Sequence, residues 1–479
     1  MLEQDFDMKR TTKAFILIIL VFIIALISLL VVMRKQLGNG LVDGTLLSRK
    51  SRPNIILITM DTTRRDHLSC YGYQRKTSKN LDNLAKEGVV FKSAISNSSW
   101  TYPSHASLMT GMYTISHGAY YDLKGSMGIM DHAVNRFSDS NKTLAEILRH
   151  NGYKTIGIIG GIWLKRQFGL NKGFEIYEDD VYDLEGLKAE QIHQLVHKYI
   201  NRSTPSPFFL FVNYFDPHTP YSAPEPFDSM FSSQSLNEIG FSEKDINKFR
   251  KKPDQKDLEI VLGKYDGEIA YMDFYMGKLF DLLKTLGMYD NSWIIVVADH
   301  GESFGEHSYM GHGGALYENL IHVPLIMKYP KGWRSDDNIE DRLQLMDIMP
   351  TILDRLKIPI PRTCQGQPIG NVSHKIIAEL HRNRGDILSF GKRFDRDLRT
   401  IYEGPYKFIG SSDGKNELYD IVADPQENHN IVDDSLSLTG KFTKQLDEWY
   451  GEVPRAEKSS VEKMDKRTVE QLKALGYLN

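Results

Sequence analysis

The sequence is poor in cysteine and has no strong excess of charge of either sign. Its only two cysteines, Cys70 and Cys364, stand far apart in no CxxC or Cys/His pattern, so no cysteine-based metal or redox motif is present. The 59 lysines and arginines nearly balance the 62 aspartates and glutamates, and there is no long basic run. The electrostatic footprint of a nucleic-acid-binding protein is therefore missing, and we expect no nucleic-acid partner.

One uncharged apolar run, Phe15–Met33, lies near the N-terminus. As a helix it would be roughly 28 Å long, close to the hydrocarbon thickness of a bilayer. The run is long for the core of a signal peptide, and the RKQLGNG segment after it offers no small-x-small cleavage site. We therefore expect a retained signal anchor in the membrane. A cleaved signal peptide and a buried helix are the alternatives.

The charges on the two sides of this run barely discriminate its orientation. Lys9, Arg10 and Lys13 precede it, and Arg34 and Lys35 follow it. Because a short basic tail precedes a single anchor and a long domain follows it, we expect the N-terminus inside and the main domain outside the cytoplasm. The alternative is a cytoplasmic protein tethered by its N-terminal helix.

After residue 50 the sequence alternates β-branched apolar runs with helical patterns. The runs Asn54–Met60 and Ser292–Asp299 are typical of central strands in a parallel sheet that helices cover on both faces. Further candidates are strands at Lys154–Gly160 and Pro207–Phe215, helices at Asn141–Gly152, Tyr271–Gly287, Met349–Pro361 and Met464–Asn479, and a hairpin over Thr400–Ile431 around the turn SSDGKN. This pattern predicts an α/β fold.

Both strong strand candidates end in an aspartate, where ligands gather in open α/β sheets. Asp61 follows the first strand, Asp299 and His300 close the second, and Thr101 lies in a Pro-containing turn before SHASLMTG. Two carboxylates, an imidazole and a hydroxyl can bind one divalent cation, which would make the hydroxyl a nucleophile at neutral pH. Taken singly, each residue also has a structural interpretation as a turn former, a cap or a buried histidine. From spacing alone both interpretations stay open.

At these residues the chain resembles the sulfatase family of the alkaline phosphatase superfamily. The resemblance runs in order through PNIILITMDTTRRDHLSCYGY, TYPSHASLMTG, FDPHTPY, ADHGESFGEHSYMGHGGALYENLIHVPLIM and LYDIVADPQENHNI. It implies an α/β fold with a large mixed sheet, a small antiparallel C-terminal subdomain and a metal-assisted nucleophile that attacks sulfur or phosphorus. By this resemblance Asp61, Asp299 and His300 match the metal ligands, and Thr101 matches the nucleophile and fourth ligand. The implied cofactor is one divalent ion, Ca, Mn or Zn.

Thr101 departs from the sulfatases, which carry a cysteine or serine that is oxidised to formylglycine. Threonine cannot give that aldehyde, so we expect no formylglycine. Related phosphodiesterases, phosphonoacetate hydrolases and phosphoethanolamine transferases use threonine through a phospho-threonine intermediate. The family also often has two adjacent aspartates where this chain has Asp61 and Thr62, so one metal ligand is lost. The chemistry thus favours phosphorus, whereas the overall resemblance favours the sulfatases.

Other site candidates follow from the same motifs. His105 stands in place of the motif's usual arginine, His218 matches a histidine near the leaving group, and His312 lies close to where many members have a lysine. Either His218 or His312 can protonate a departing alkoxide. Arg64 and Arg65 can pair with a substrate oxyanion, although arginines after a strand are at least as often surface residues.

The expected organisation begins with a short tail over residues 1–14, the anchor over 15–33 and a linker over 34–50. A catalytic domain over 51–365, a C-terminal subdomain over 366–455 and a helical tail over 456–479 follow. We expect the small C-terminal part to form one side of the cleft of the main domain.

Three functions remain open at this point. The first is a hydrolase that cleaves a sulfate, phosphate or phosphonate ester of a lipid, glycan or small molecule. The second is a membrane-anchored transferase that moves a phospho-alcohol group, such as phosphoethanolamine, onto a lipid or glycan. The third is a catalytically silent binding protein with the sulfatase fold. The anchor makes the lipid bilayer an expected partner, and the sequence does not indicate an oligomeric state.

Overall fold

The structure, a computed structural model, describes residues 52–120, 133–183, 186–239, 254–333, 340–382, 387, 391–457, 461–475 and 477. The β-strands are β1 (Asn54–Met60), β2 (Val89–Ile95), β3 (Ala133–Asn135), β4 (Lys154–Ile159), β5 (Ile176–Glu178), β6 (Phe208–Tyr214), β7 (Ser292–Ala298), β8 (Ser303–Phe304), β9 (Met310–Gly311), β10 (His322–Lys328), β11 (Leu343–Gln344), β12 (Glu379–Leu380), β13 (Leu398–Glu403), β14 (Tyr406–Ser411), β15 (Glu417–Asp420) and β16 (Val461–Lys463). The α-helices are α1 (Lys79–Glu87), α2 (Thr101–Thr110), α3 (Thr114–His117), α4 (Leu144–His150), α5 (Ala189–Tyr199), α6 (Gln255–Thr285), α7 (Glu318–Ile321), α8 (Ile348–Arg355), α9 (Leu436–Glu452) and α10 (Lys466–Ala474).

The largest sheet has the strand order β11-β2-β10-β7-β1-β6-β4-β5. Strand β10 runs antiparallel to its neighbours β2 and β7, and the other pairs are parallel. Every residue of β1, β6 and β7 is buried, which explains why their sequences are continuous apolar runs and not alternating ones. The predicted central strands and the large mixed sheet are thereby confirmed.

The C-terminal part contains a second, antiparallel sheet of order β12-β13-β14-β15. Helix α9 packs on it through Phe442, Leu446 and Trp449, which share a small apolar cluster with Phe408 of β14. The predicted antiparallel subdomain is confirmed. The single predicted hairpin is in fact two, because Gly404, with φ 57°, makes a second tight turn between β13 and β14.

Helix α6 begins at Gln255, whereas the sequence pattern placed its start at Tyr271. The side chain of Asp254 caps the first turn. The sequence pattern misses the N-terminal half of α6 because glycines such as Gly267 weaken a helix. A Cβ at Gly267 would lie 2.4 Å from the carbonyl oxygen of Phe227, so the glycine allows a neighbouring loop to pack closely against the helix.

The predicted membrane anchor, Phe15–Met33, lies outside the described residues. Among the residues that are described, no helix is both long and apolar enough to cross a membrane. Even α6, with 31 residues, carries charged side chains along its length. This finding contradicts the expected single-pass membrane location with an extracytoplasmic catalytic domain, and we do not retain that expectation.

Candidate active site

Two neighbouring parallel strands bring the predicted metal ligands together. Met60 of β1 is paired with Ala298 of β7, so Asp61 and Asp299 leave the same edge of the sheet side by side, and His300 follows. All three side chains are fully buried. One ligand atom of each lies within 4.8 Å of the others. The structure therefore places these residues as the sequence predicted.

The hydrogen bonds of His300 fix which of its nitrogens faces the carboxylates. Its Nδ1 lies 2.9 Å from the carbonyl oxygen of Gly301, which can only accept, so Nδ1 carries the proton. Nε2 then has a free lone pair, 3.5 Å from Asp299 Oδ2 and 3.8 Å from Asp61 Oδ1. Burial, followed by the charge of the His312 ring, lowers the pKa of His300 well below its ordinary value. A neutral imidazole of this kind is a good metal ligand.

The two carboxylates have oxygens that no described residue satisfies. Asp61 Oδ1 and Asp299 Oδ2 are buried without a hydrogen-bond partner in the described part of the chain. Burial, followed by the charge of Asp299, raises the pKa of Asp61 well above its ordinary value, and burial raises the pKa of Asp299 to about 7. Two like charges buried together are unfavourable unless a cation compensates them. The residues present thus fit one divalent cation, with two hard oxygen donors and one imidazole.

Thr101 is the first residue of α2, and its side chain enters this ligand cluster. Its Oγ1 lies 3.3 Å from His300 Nε2 and 3.4 Å from Asp61 Oδ2. Thr101 is fully buried, and the partial positive charge of a helix N-terminus favours an anion beside it. The hydroxyl is therefore positioned both to complete a metal site and to attack a substrate bound there.

His105 lies one turn further along α2, below the site. Its Nδ1 is 2.8 Å from the carbonyl oxygen of Thr101, and its Nε2 is 2.9 Å from the hydroxyl of Thr59. Nδ1 also approaches Asp299 Oδ2 at 3.5 Å. Burial lowers the pKa of His105 to about 4, so the ring is neutral near pH 7. Both nitrogens of His105 thus have partners within the described residues, and its catalytic role stays a prediction.

His218 lies in the loop after β6, beside the same edge of the sheet. Its ring stacks on Phe215 with centroids 4.4 Å apart, and its Nδ1 is 2.6 Å from the carbonyl oxygen of Thr219. Nδ1 therefore carries a proton, which leaves Nε2 to face the site. Burial, followed by the charge of His312, lowers the pKa of His218 to about 3.

His312 lies close to both His218 and His300. Its ring centroid is 5.0 Å from that of His218 and 4.5 Å from that of His300. Its Nδ1 lies 3.1 Å from Oε1 of Glu302, a buried carboxylate that sequence reasoning did not single out although it lies inside the quoted ADHGESFGEH motif. The structure thus brings both predicted leaving-group histidines to the site.

A second residue missed from the sequence is Tyr477, in the C-terminal segment. Its hydroxyl lies 2.8 Å from Nε2 of His218 and 2.8 Å from Nε2 of His312. The sequence around Tyr477 indicated only a helical tail docked on the domain, which α10 confirms. No local pattern linked this tyrosine to residues so far away in the chain.

The two arginines after β1 contact other residues of the fold. The guanidinium of Arg64 pairs with Asp66 at 2.7 Å and with Glu306 at 2.6 Å. The guanidinium of Arg65 lies over the ring of Tyr71, 5.6 Å from its centroid. The guanidinium of Arg64 is therefore already paired with two carboxylates of the fold. For Arg65 the structure gives only the ring contact, and its pairing with a substrate oxyanion stays a prediction.

Known proteins share both this sequence pattern and this fold. A family model for Sulfatase matches residues 53–358, and one for the C-terminal region of N-sulphoglucosamine sulphohydrolase matches residues 305–451. "Uncharacterized sulfatase YidJ" of Escherichia coli (strain K12) is 25% identical over 423 residues, covering 80% of this chain and 84% of the relative. "Arylsulfatase" of Clostridium perfringens (strain 13 / Type A) is 26% identical over 455 residues, covering 80% of this chain and 90% of the relative.

Solved structures agree on the fold. The crystal structure of the phosphonate monoester hydrolase of Agrobacterium radiobacter superposes with a TM-score of 0.64 at 20% identity, covering 86% of this chain and 97% of that chain. The Sulfatase model alone covers well over half of the 479 residues. This chain therefore belongs to the sulfatase family of the alkaline phosphatase superfamily and is an ester hydrolase of that superfamily.

Proposed function

We propose that this protein hydrolyses a phosphate or phosphonate ester, with Thr101 as the nucleophile and one divalent cation at Asp61, Asp299 and His300. The position of the Thr101 hydroxyl carries the proposal, because Oγ1 lies 3.3 Å from His300 Nε2 and 3.4 Å from Asp61 Oδ2. When bound, the cation would neutralise the two carboxylates, lower the pKa of the hydroxyl and polarise the ester.

In the first step Oγ1 of Thr101 attacks phosphorus, and the bond from phosphorus to the leaving oxygen breaks. The Thr101 hydroxyl already donates a hydrogen bond to Asp61 Oδ2, which can receive its proton. The leaving oxygen takes a proton from the side of the site formed by His218 and His312. In the second step water attacks phosphorus and gives a proton back to the histidine side of the site. The bond from phosphorus to Oγ1 breaks, and Oγ1 regains its proton from Asp61, which frees Thr101 as the alcohol.

A phosphorus ester suits this nucleophile better than a sulfate ester does. Water can displace threonine from a threonyl phosphate or phosphonate by attack at phosphorus. A sulfated formylglycine hydrate instead collapses by elimination, a route closed to a threonyl sulfate. The fold is shared with the phosphonate monoester hydrolase of Agrobacterium radiobacter and equally with a 2-O GAG sulfatase, so it is compatible with either ester and the choice rests on the nucleophile.

The test compares p-nitrophenyl phosphate, p-nitrophenyl phenylphosphonate and p-nitrophenyl sulfate, using chelator-treated protein to which Ca, Mn or Zn is added back. We expect turnover of a phosphorus ester that disappears on chelation and returns with one of the metals. Faster turnover of the sulfate than of either phosphorus ester would contradict the choice of substrate. Turnover unaffected by chelation would contradict the metal-assisted mechanism.

A further inference from the structure

We propose that Tyr477, at the far C-terminal end of the chain, is a positioning residue of the active site that sets the hydrogen-bond roles of His218 and His312. This inference rests on the proposed ester hydrolysis, because those roles matter only if a leaving group must be protonated. The phenol lies at hydrogen-bond distance, 2.8 Å, from Nε2 of each histidine. It comes from 165 residues beyond His312 and 259 beyond His218.

The direction of the hydrogen bonds follows from the other partner of each ring. Nδ1 of His218 faces the carbonyl oxygen of Thr219, so its Nε2 is the acceptor and the phenol O–H donates to it. A phenol has one proton to donate, so the same oxygen can only accept from His312 Nε2. Tyr477 thus makes His218 an acceptor and His312 a donor.

This arrangement assigns the general acid. Nδ1 of His312 lies 3.1 Å from Oε1 of Glu302, so the ring is held between that side chain and the phenol, with its Nε2 proton on the side of Tyr477. As the bond from phosphorus to the leaving oxygen breaks, that oxygen takes the Nε2 proton of His312. The water that attacks in the second step returns a proton to the same nitrogen, so the enzyme is regenerated.

The C-terminal segment is fastened firmly enough to hold a side chain in place. Gln471 of α10 is fully buried and donates from Nε2 to the carbonyl oxygens of Val181, at 2.7 Å, and Asp183, at 2.9 Å. The backbone N–H of Tyr477 donates to the carbonyl oxygen of Leu472 at 2.9 Å. The Tyr477 ring meets Trp163 edge to face, with centroids 5.5 Å apart. Segment, backbone and ring therefore all restrain the phenol.

The substitution Tyr477→Phe tests the inference, because it removes the hydroxyl and keeps the ring contact with Trp163. Two esters of one phosphonic acid serve as substrates: the p-nitrophenyl ester, whose leaving group departs without a proton, and an alkyl ester, whose leaving group needs one. We expect kcat for the alkyl ester to fall about tenfold or more, part of the ~10²- to 10⁴-fold that a general acid contributes. With the p-nitrophenyl ester kcat should change by less than about twofold, since that ester needs no acid. KM should change little for either ester.

The control is Tyr450→Phe, which removes the hydroxyl of a tyrosine on α9 whose ring contacts the guanidinium groups of Arg399 and Arg455. It should leave both esters unaffected. As a second variant, Gln471→Ala should loosen the segment and reproduce the selective loss on the alkyl ester.

The possible outcomes are distinguishable. Equal losses of turnover on both esters would mean that Tyr477 serves only the fold. Faster turnover by Tyr477→Phe would mean that the phenol obstructs the site. Either result overturns the inference and leaves the proposed function intact. If the wild-type protein turns over neither ester with any of the three metals, the proposed function fails and the inference falls with it.

Discussion

The hydroxyl of Tyr265 donates a hydrogen bond to the carbonyl oxygen of Thr62, 2.8 Å away. The same hydroxyl accepts from the backbone N–H of Arg64, also at 2.8 Å. Thr62 has φ 50°, a left-handed conformation that is rare for a β-branched residue. The tyrosine therefore clamps the strained bend that directly follows Asp61, one of the proposed metal ligands.

The substitution Tyr265→Phe should lower the free energy of unfolding by about 1–3 kcal/mol, because it leaves two buried backbone groups without their partner. It should also weaken metal binding, since the bend orients Asp61. Urea unfolding and a metal titration measure the two effects.

Tyr214→Phe is the matched control. Tyr214 is equally buried, but its hydroxyl has no hydrogen-bond partner among the described residues. Removing that hydroxyl should be neutral or stabilising. Equal destabilisation by the two substitutions would show that lost packing, and not the clamp on Thr62, explains the effect.

The substitution Asp299→Asn should change the stability of the protein differently in the absence and in the presence of metal. In metal-free protein it removes the repulsion between two buried carboxylates, so the variant should be at least as stable as the wild type. Saturating metal should stabilise the wild type by about 2.7 kcal/mol at 100 times the dissociation constant. The variant should lose most of that gain. Thermal unfolding with chelator and with added metal measures both.

The control here is Asp290→Asn, at the other end of β7, where the aspartate is exposed and 3.5 Å from Lys331. It should keep the full metal-dependent stabilisation. If added metal stabilised Asp299→Asn as much as it stabilised the control variant, Asp299 would be ruled out as a ligand.

His374 should make stability depend on pH. Its Nε2 lies 2.7 Å from Asp347 Oδ1 and its Nδ1 lies 3.0 Å from the carbonyl oxygen of Lys375, so both nitrogens face acceptors. Burial acts to lower the pKa of His374, but the hydrogen bond and charge of Asp347 outweigh it and raise the pKa overall. The stabilisation is thus fully present below the unfolded pKa of about 6.5 and is lost as the pH rises through the higher folded pKa.

His374→Gln should therefore destabilise the protein by about 1.5–3 kcal/mol at acidic pH, the range for a hydrogen bond to a charged group, and by less at alkaline pH. Urea unfolding at pH values from about 5 to about 9, which bracket the pKa of a free histidine, gives the free energy of unfolding as a function of pH. The exposed His429 provides the control substitution His429→Gln. A constant difference between His374→Gln and the wild type at every pH would contradict the assigned imidazolium.

The cluster of Asp61, Asp299 and His300 could be predicted because its signals are local. Asp61 and Asp299 each end a continuous apolar run, and such runs become neighbouring central strands whose carboxyl ends meet. Thr101 and the two leaving-group histidines came from the resemblance of short motifs. Each of these signals lies within a few residues of the side chain concerned.

The partners of these residues could not be predicted, because they depend on contacts between distant segments. The pattern around Tyr477 indicates a helix end and contains no information about His218 or His312. In the same way, only the fold shows that Glu306 forms an ion pair with the guanidinium of Arg64. From the sequence, that guanidinium was a candidate for binding a substrate oxyanion. Periodicity reports the faces of single elements and not the tertiary partners of a side chain.

The most direct measurement is the mass of the peptide that contains Thr101 after acid quench during turnover of p-nitrophenyl phenylphosphonate. With this activated ester the first step is fast, so the enzyme should accumulate with the phenylphosphonyl group on Thr101. Thr101→Ala should show neither the adduct nor turnover, while keeping metal binding through Asp61, Asp299 and His300. Near-normal turnover by Thr101→Ala, or an adduct on another residue of the wild type, would contradict the assignment of Thr101 as the nucleophile.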